Sequence, residues 1–543
     1  MTPMPWPTQE SDFSGLSLNF DLCPQAHSTA VKTPRQRNNA DKRPTKKTDR
    51  FCQELIVKGS LPSSSSVGTS DSLAMTEQLT TDVMWGMTAA TVVGMAAGAY
   101  YLFTRTVQTP WPKEKQPLAY TRRVQPKKRK IQLPLNSLDD FVPLENMEPV
   151  NDVAGFFTSR GNEFSVYSID WEQESVVFVR PVHGTDLKDH PFFREAQRRN
   201  AAEILSIPFS HLQDVVDAIR PKVAHVQNVF VYMTGRCGST LLTRAVDATS
   251  VAQAANEPEI FSIISMAVIR SRRSRQNQDF SLNPAVSSAV GSNEDDMVKL
   301  LRNVVTLLNY NLLMADPRHR DVIMYKMKFD VILIGDLMYR AFPSAKNIFL
   351  YRNGMECLES LIRLWHRSNV VYSLVRALIR RGLWRWAPMI PDYFGCFGDD
   401  AKFTEHSNGS GVFYAMALWA GSMHRALELQ KMHPEYFFHC LLYYSALARG
   451  KEKALRLLLK RLGLKWNPAE DGEEAEKMKK LFVQDSQAGT LLSARTKKPG
   501  AKWTKPSPSS WLGDWERDYM SRVCRATGND IPGPDFIFPD TML

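Results

Sequence analysis

TGRCGSTLL, residues 234–242, follows the apolar run QNVFVYM (227–233) and leads into a helical pattern. A buried strand that turns sharply into a helix exposes unpaired backbone N–H groups at the positive end of the helix dipole, and such a turn favours an anion. Gly235 and Gly238 permit the tight turn and close approach of a phosphate-like group. Ser239 and Thr240 add hydroxyl donors, and Arg236 adds a forked cation. A triphosphate-binding loop would end in Gly-Lys-Ser/Thr, with the hydroxyl on magnesium. That ending is missing, so the loop suits an anion held without a metal, and a kinase reading is weak. Taken alone, a Gly-rich strand–helix turn is often only structural.

Working outward, strands alternate with helices from about 226 to 466. Strands are expected at 227–233, 321–327 and 347–351. Helices are expected at 240–249, 296–314, 354–367, 411–431 and 450–462. The alternation predicts an α/β, three-layer fold with a central parallel sheet, in a domain assigned to 226–543. Upstream, 150–225 reads as a small lead-in module. EFSVYSI (163–169) and ESVVFVR (174–180) alternate as strands, and HPFFREAQRRNAAEIL (190–205) reads as a helix.

The N-terminal part has another character. Residues 1–80 are rich in Ser, Thr, Pro, Lys and Arg and predict a disordered leader. VMWGMTAATVVGMAAGAYYLF (83–103) then runs without a charge. At about 1.5 Å per residue it is long enough to span a bilayer as one transmembrane helix. Trp85, Tyr100 and Tyr101 sit where interfacial aromatics belong. Gly86, Ala90, Gly94 and Gly98 form a small-residue stripe through which two copies could pair as a homodimer. Residues 104–149 read as a basic juxtamembrane linker; QPKKRK (125–130) within it reads either as solvated linker or as contact with anionic lipid heads.

Charge follows the same division. The net charge of the 543 residues is +11, but 1–130 carry 18 Lys/Arg against 10 Asp/Glu, so the remainder is near balance. A nucleic-acid binder would show its basic excess on the folded domain, so nucleic acid is not an expected partner. The seven cysteines form no CxxC pair, which leaves a zinc site without support.

A second element joins the opening loop. In NIFLYRNGMECLESLIR (347–363) a strand ends at Tyr351, Arg352 follows, and Ser360 lies eight residues on. This strand–Arg–x7–Ser pattern resembles the 3′-phosphate site of sulfotransferases that use 3′-phosphoadenosine-5′-phosphosulfate. TGRCGSTLL is in turn similar to their 5′-phosphosulfate loop, with Arg236, Gly238, Ser239 and Thr240 in the expected places. Cys237 departs from the usual Ser or Thr and costs one hydroxyl donor. FFHCLLYYSALARGKEKALRLLLKRLGL (437–464) resembles a third family segment, with Tyr444 and Leu447 in register. Ser445 and Ala446 stand where that segment has an acidic pair.

The resemblance implies a P-loop sulfotransferase fold, 3′-phosphoadenosine-5′-phosphosulfate as co-substrate, and no metal. In carbohydrate-type members a glutamate after the first helix is the base. Here Glu257 is the first choice and Glu259 the second, both in VAQAANEPEIFS (251–262). Lys326, in VIMYKMKF, fits the family lysine that stabilises charge on the bridging oxygen. Lys328 stands where cytosolic members carry a histidine, which disfavours the small-molecule type. The acceptor implied is a glycan hydroxyl, and the location implied is the Golgi lumen. Asn408-Gly409-Ser410 is one glycosylation sequon in keeping with that. The charge flanking 83–103 favours the opposite orientation, with the C-terminal bulk in the cytosol. A catalytically inactive, membrane-tethered relative stays open as the alternative. ARTKKPGAKW (494–503) reads first as a solvated basic loop, with contact to the 3′-phosphate as the alternative; RALIRRGLWRW (376–386) reads first as a partly buried amphipathic helix, with binding of an anionic glycan or a membrane surface as the alternative.

Overall fold

A computed structural model describes residues 111, 115–128, 135–276, 293–366, 368–383, 392–434, 437–467, 472–483, 511–528 and 530–543. The leader 1–80, the apolar span 83–103 with its small-residue stripe, and the loop 494–503 lie outside these residues. Among the described residues no helix is long and apolar enough to cross a membrane.

The chain first builds an antiparallel sheet. Its strands are β1 (Ala119–Pro126), β2 (Phe141–Pro143), β3 (Glu148–Val150), β4 (Ser165–Asp170), β5 (Ser175–Pro181) and β6 (Ala201–Pro208). The order is β2-β1-β6-β5-β4, with β3 also on β1. Helices α1 (Val153–Arg160), α2 (Phe193–Asn200) and α3 (Phe209–Val223) are interleaved with these strands. Two expectations are corrected here. The stretch read as a basic linker carries β1, β2 and β3, because Ala119, Tyr120 and Val124 are buried there while Arg123 points out. The helix expected over 190–205 stops at Asn200, and AAEILSIP continues as β6. That strand is paired on both sides, by β1 and β5, so sheet pairing overrides the local helical pattern.

The second sheet is parallel throughout. Its elements are β7 (Gln227–Met233), α4 (Ser239–Asp247), β8 (Gln253–Asn256), α5 (Glu259–Gln276), α6 (Glu294–Ala315), β9 (Val322–Lys326), α7 (Gly335–Ala341), β10 (Lys346–Tyr351), α8 (Gly354–His366), α9 (Asn369–Arg380), α10 (Asp392–Gly398), α11 (Gly411–Met432), β11 (Cys440–Tyr443) and α12 (Tyr444–Arg461). Helices α13 (Glu473–Val483) and α14 (Asp514–Arg525) follow. The strand order is β11-β10-β7-β9-β8. Strands β7, β9 and β10 lie within one residue of the predicted spans.

Both faces of this sheet are covered, which is why its strands read as unbroken apolar runs. On β7, Phe230 and Tyr232 enter one core with residues of α5, α6 and α11. Val229, Val231 and Met233 enter another with Leu242 of α4 and Leu455 and Leu458 of α12. The first core also takes Val166, Val176, Phe178 and Leu205, so the antiparallel sheet is packed into the main domain and is not a separate module.

Register decides where the chemistry falls. Leu350 pairs with Met233, Val231 with Lys326, and Asn256 with Lys326. The ends of β7, β8, β9 and β10 therefore line up on one edge. From β7 the chain crosses to β8 and β9 on one side, and β10 and β11 lie on the other. The loop after β7 thus sits where the winding reverses, the place where ligands bind in open parallel sheets.

Candidate functional site

The loop after β7 bends through Gly235 (φ +75°), Arg236 (φ +50°) and Gly238 (φ +80°), and α4 starts at Ser239. Arg236 is the costly one, because a Cβ disfavours that region. Ser239 and Thr240 are buried in the first turn of α4. A Cβ on Gly238 would lie 2.6 Å from the ring of Tyr444, which covers the loop. Gly238→Ala is accordingly expected to cost about 1–3 kcal/mol through strain and overpacking, and to weaken anion binding because Tyr444 must shift. Denaturant unfolding and nucleotide titration check this; an unchanged midpoint contradicts it.

Cys237 has a structural explanation. Its side chain is fully buried in the core beside α4, and burial pushes the thiol up to about 11. The position serves packing, so no hydroxyl is missing from the loop's open face. All five described cysteines are free and buried.

Arg352, one residue past β10, leans toward the loop. Its Nη1 donates to the Arg236 carbonyl at 3.5 Å, and its guanidinium lies 4.6 Å from the centre of the Tyr444 ring. Arg236 Nε in turn donates to Ser360 Oγ at 2.9 Å. The two anion motifs, far apart in sequence, thus form one connected surface. Trp419 Nε1 holds the Arg352 carbonyl at 2.9 Å, and Cys357 Sγ donates to the Gly235 carbonyl at 3.4 Å. Arg352 Nε also donates to Glu356 Oε2 at 2.6 Å. Sequence reading missed Glu356, although it sits at i+4 from Arg352, the spacing of a helical ion pair.

At the β8–β9 edge lies a second group. Glu257 follows β8 with φ +57°, and its N–H donates to the Lys326 carbonyl at 2.9 Å. Lys326 Nζ donates to the Glu257 carboxylate, and Lys328 Nζ donates to Glu259 Oε1 at 2.6 Å. Arg194 of α2 joins the pairs, with Nη1 3.2 Å from Glu259 Oε2 and Nε 4.0 Å from Glu257 Oε2. Nothing in HPFFREAQRRN signalled that Arg194 reaches this edge. Lys326 is not a solvated strand end: it is buried, and so are both glutamates. Glu259 is fully enclosed, whereas the Glu257 side chain keeps 10% of its exposure. Burial works against the Glu257 charge, but Lys326, Arg194 and Lys328 hold its carboxyl below the ordinary carboxylate range. Strand β7 lies between β9 and β10, so the loop that follows it sits between the two groups.

Asp330, just beyond, is fully buried; Ser262 Oγ donates to its Oδ1 at 3.1 Å. Burial pushes this carboxyl up to about 6. A raised acid destabilises the fold once ionised; the penalty is full above the folded value, shrinks as pH falls below it, and is gone below the unfolded value. At about 1.4 kcal/mol per unit, the penalty above pH 6 is about 3 kcal/mol. Asp330→Asn is therefore expected to raise the melting temperature at pH 7.5 and to lose that advantage near pH 4. A variant no more stable at pH 7.5 contradicts the assignment.

A cleft of about 220 Å³ on the antiparallel sheet, walled by Arg123, Arg160, Arg180, Glu145 and Glu203, shares no residue with this edge. Its arginines are matched by glutamates, as in Arg180–Glu203 at 2.6 Å and Arg123–Glu145 at 2.9 Å.

Residues 228–394 match the model of the sulfotransferase family. No curated protein matches the chain. Among solved structures, a sulfotransferase of Mycobacterium avium is 12% identical over 49% of this chain and 71% of its own, with a TM-score of 0.27. A sulfotransferase of Alicyclobacillus acidocaldarius is 15% identical over 47% and 91%, with a TM-score of 0.24. One of Mycobacterium tuberculosis H37Rv is 13% identical over 50% and 78%, with a TM-score of 0.25. These likenesses are weak, and the assignment rests on the family match. The matched segment contains the anion loop, Glu257, Lys326, Arg352 and Ser360. Residues 228–394 are therefore sulfotransferase-like, and the match supports sulfuryl transfer as the chemistry of this segment.

Proposed function

We propose that the protein is a membrane-anchored sulfotransferase acting on a carbohydrate hydroxyl, with 3′-phosphoadenosine-5′-phosphosulfate as donor. The observation that carries this reading is the convergence of Arg236, Ser360 and Arg352 on the α4 N-terminus, with Glu257–Lys326 on the same sheet edge. The residues suit a donor with two anionic ends. Gly235, Arg236, Gly238, Ser239 and Thr240 would hold its phosphosulfate side, and Arg352 with Ser360 its 3′-phosphate. Cys237 contributes packing. The donor supplies a sulfuryl group activated by attachment to a phosphate.

The remaining work falls to positioning and charge. Glu257 is ionised at neutral pH and is the carboxylate with some exposure, so it takes the proton from the acceptor hydroxyl. Lys326 keeps Glu257 in place and carries positive charge where negative charge develops. Glu259, enclosed by Lys328 and Arg194, braces the group. The roles assigned to these residues require no metal. The carbohydrate acceptor rests on the resemblance to glutamate-base members. The anchor is the span 83–103, and the compartment proposed is the Golgi lumen.

One observation favours the inactive alternative: Glu356 already engages Arg352. The deciding experiment offers the full-length protein labelled donor and a panel of glycans. Transfer of label to a glycan is the expected result. Failure with every acceptor, despite nucleotide binding, would support an inactive tether instead.

A further inference from the structure

Helix α9 is apolar on its outer side as well as its inner one: Tyr372 and Ile379 are buried in the core, with Val375 packed against it. Polar contacts fix this inner side in place: Tyr372 Oη donates to Glu516 Oε1 at 2.8 Å, and Arg376 Nη1 lies 3.5 Å from the same carboxylate. Its outer side is apolar. Val370 is 79% exposed and Leu374 is 65% exposed, and Ala377 continues the row at helical spacing. Val371 flanks the row, and Leu383, 71% exposed, extends it past the helix end. A stripe of this kind on a soluble surface marks an interaction site.

Charge says what covers it. From Asn369 to Trp386 the chain carries Arg376, Arg380, Arg381 and Arg385 and no acidic residue. Arg380 and Arg381 are exposed at the end of the apolar row. A second copy laid on this face would bring arginines against arginines. An acidic lipid surface satisfies both halves of the pattern, taking the side chains of Val370 and Leu374 into its acyl boundary and the arginines at its headgroups.

We propose that α9 is a membrane-surface helix that lays this side of the domain on anionic phospholipid. Contact with lipid then involves the catalytic domain itself and not the apolar span 83–103 alone. The proposal is independent of sulfuryl transfer. The test places a photoreactive benzophenone side chain at position 374 in the full-length protein. This is mixed with phosphatidylcholine vesicles that contain or lack phosphatidylserine. A phospholipid adduct is expected at 374 and not at position 457, which is 45% exposed on α12. The yield should fall several-fold without phosphatidylserine, at high salt, or with Arg380→Gln and Arg381→Gln together. No lipid adduct at 374, an equal adduct at 457, or capture of a second copy or another protein at 374 in its place overturns the proposal.

Discussion

Arg352→Ala should weaken binding of 3′,5′-adenosine bisphosphate about 10- to 100-fold, whereas Glu356→Gln should strengthen it several-fold. The first effect follows from losing a charge-assisted hydrogen bond, about 1.5–3 kcal/mol, at a tenfold change per 1.4 kcal/mol. The second has the opposite sign because Glu356 accepts from the Arg352 guanidinium at 2.6 Å and so competes with a phosphate for it. Removing that carboxylate charge frees the arginine and lifts a repulsion. Arg236→Ala should resemble Arg352→Ala, since Arg236 bridges the loop to Ser360. Calorimetric titration of the three variants checks all of this. Weaker binding in Glu356→Gln would mean that the glutamate positions the arginine and does not compete for it.

Glu257→Gln should lower turnover by about 10²- to 10⁴-fold, the range for loss of a general base, and leave nucleotide affinity within about twofold. Glu259→Gln should act mainly on stability. It leaves Lys328 and Arg194 enclosed beside an uncharged amide, and breaking a buried pair costs about 3–5 kcal/mol. Rate and unfolding measured on both variants separate the two carboxylates. Full turnover in Glu257→Gln beside none in a folded Glu259→Gln would reverse the assignment. The pH dependence has a definite sign. Net interactions hold the Glu257 carboxyl below its ordinary value, so the acid limb of the rate profile lies below the usual carboxylate range. By the same linkage, its contribution to stability is complete above the unfolded-state value and is lost as pH falls through the lower folded value.

The parallel sheet was legible because β7, β9 and β10 are apolar runs of strand length, bounded by turns and covered on both faces. β8 was not. Its four residues, QAAN, carry no β-branched or aromatic side chain, and only pairing with β9 makes them a strand. β6 was hidden for a related reason: its segment has a helical pattern locally and a central sheet position in the fold. At the site, the residue types were readable and their partnerships were not. Glu257 and Lys326 stand 69 positions apart, and only the pairing of Asn256 with Lys326 brings them together. Cys237 looked like a lost donor because a motif shows residue type without direction; its side chain faces the core. Arg194 enters from the antiparallel sheet's segment, which local reading had set apart from the site.

The most direct measurement is titration of the full-length protein with 3′,5′-adenosine bisphosphate in the presence of EDTA, beside Mg-ATP as the competitor. A loop that holds phosphate with Arg236, Arg352, Ser360 and the α4 N-terminus should bind the bisphosphate without a divalent cation and more tightly than Mg-ATP. Failure to bind, or binding that appears only when magnesium is restored, would contradict the site described here.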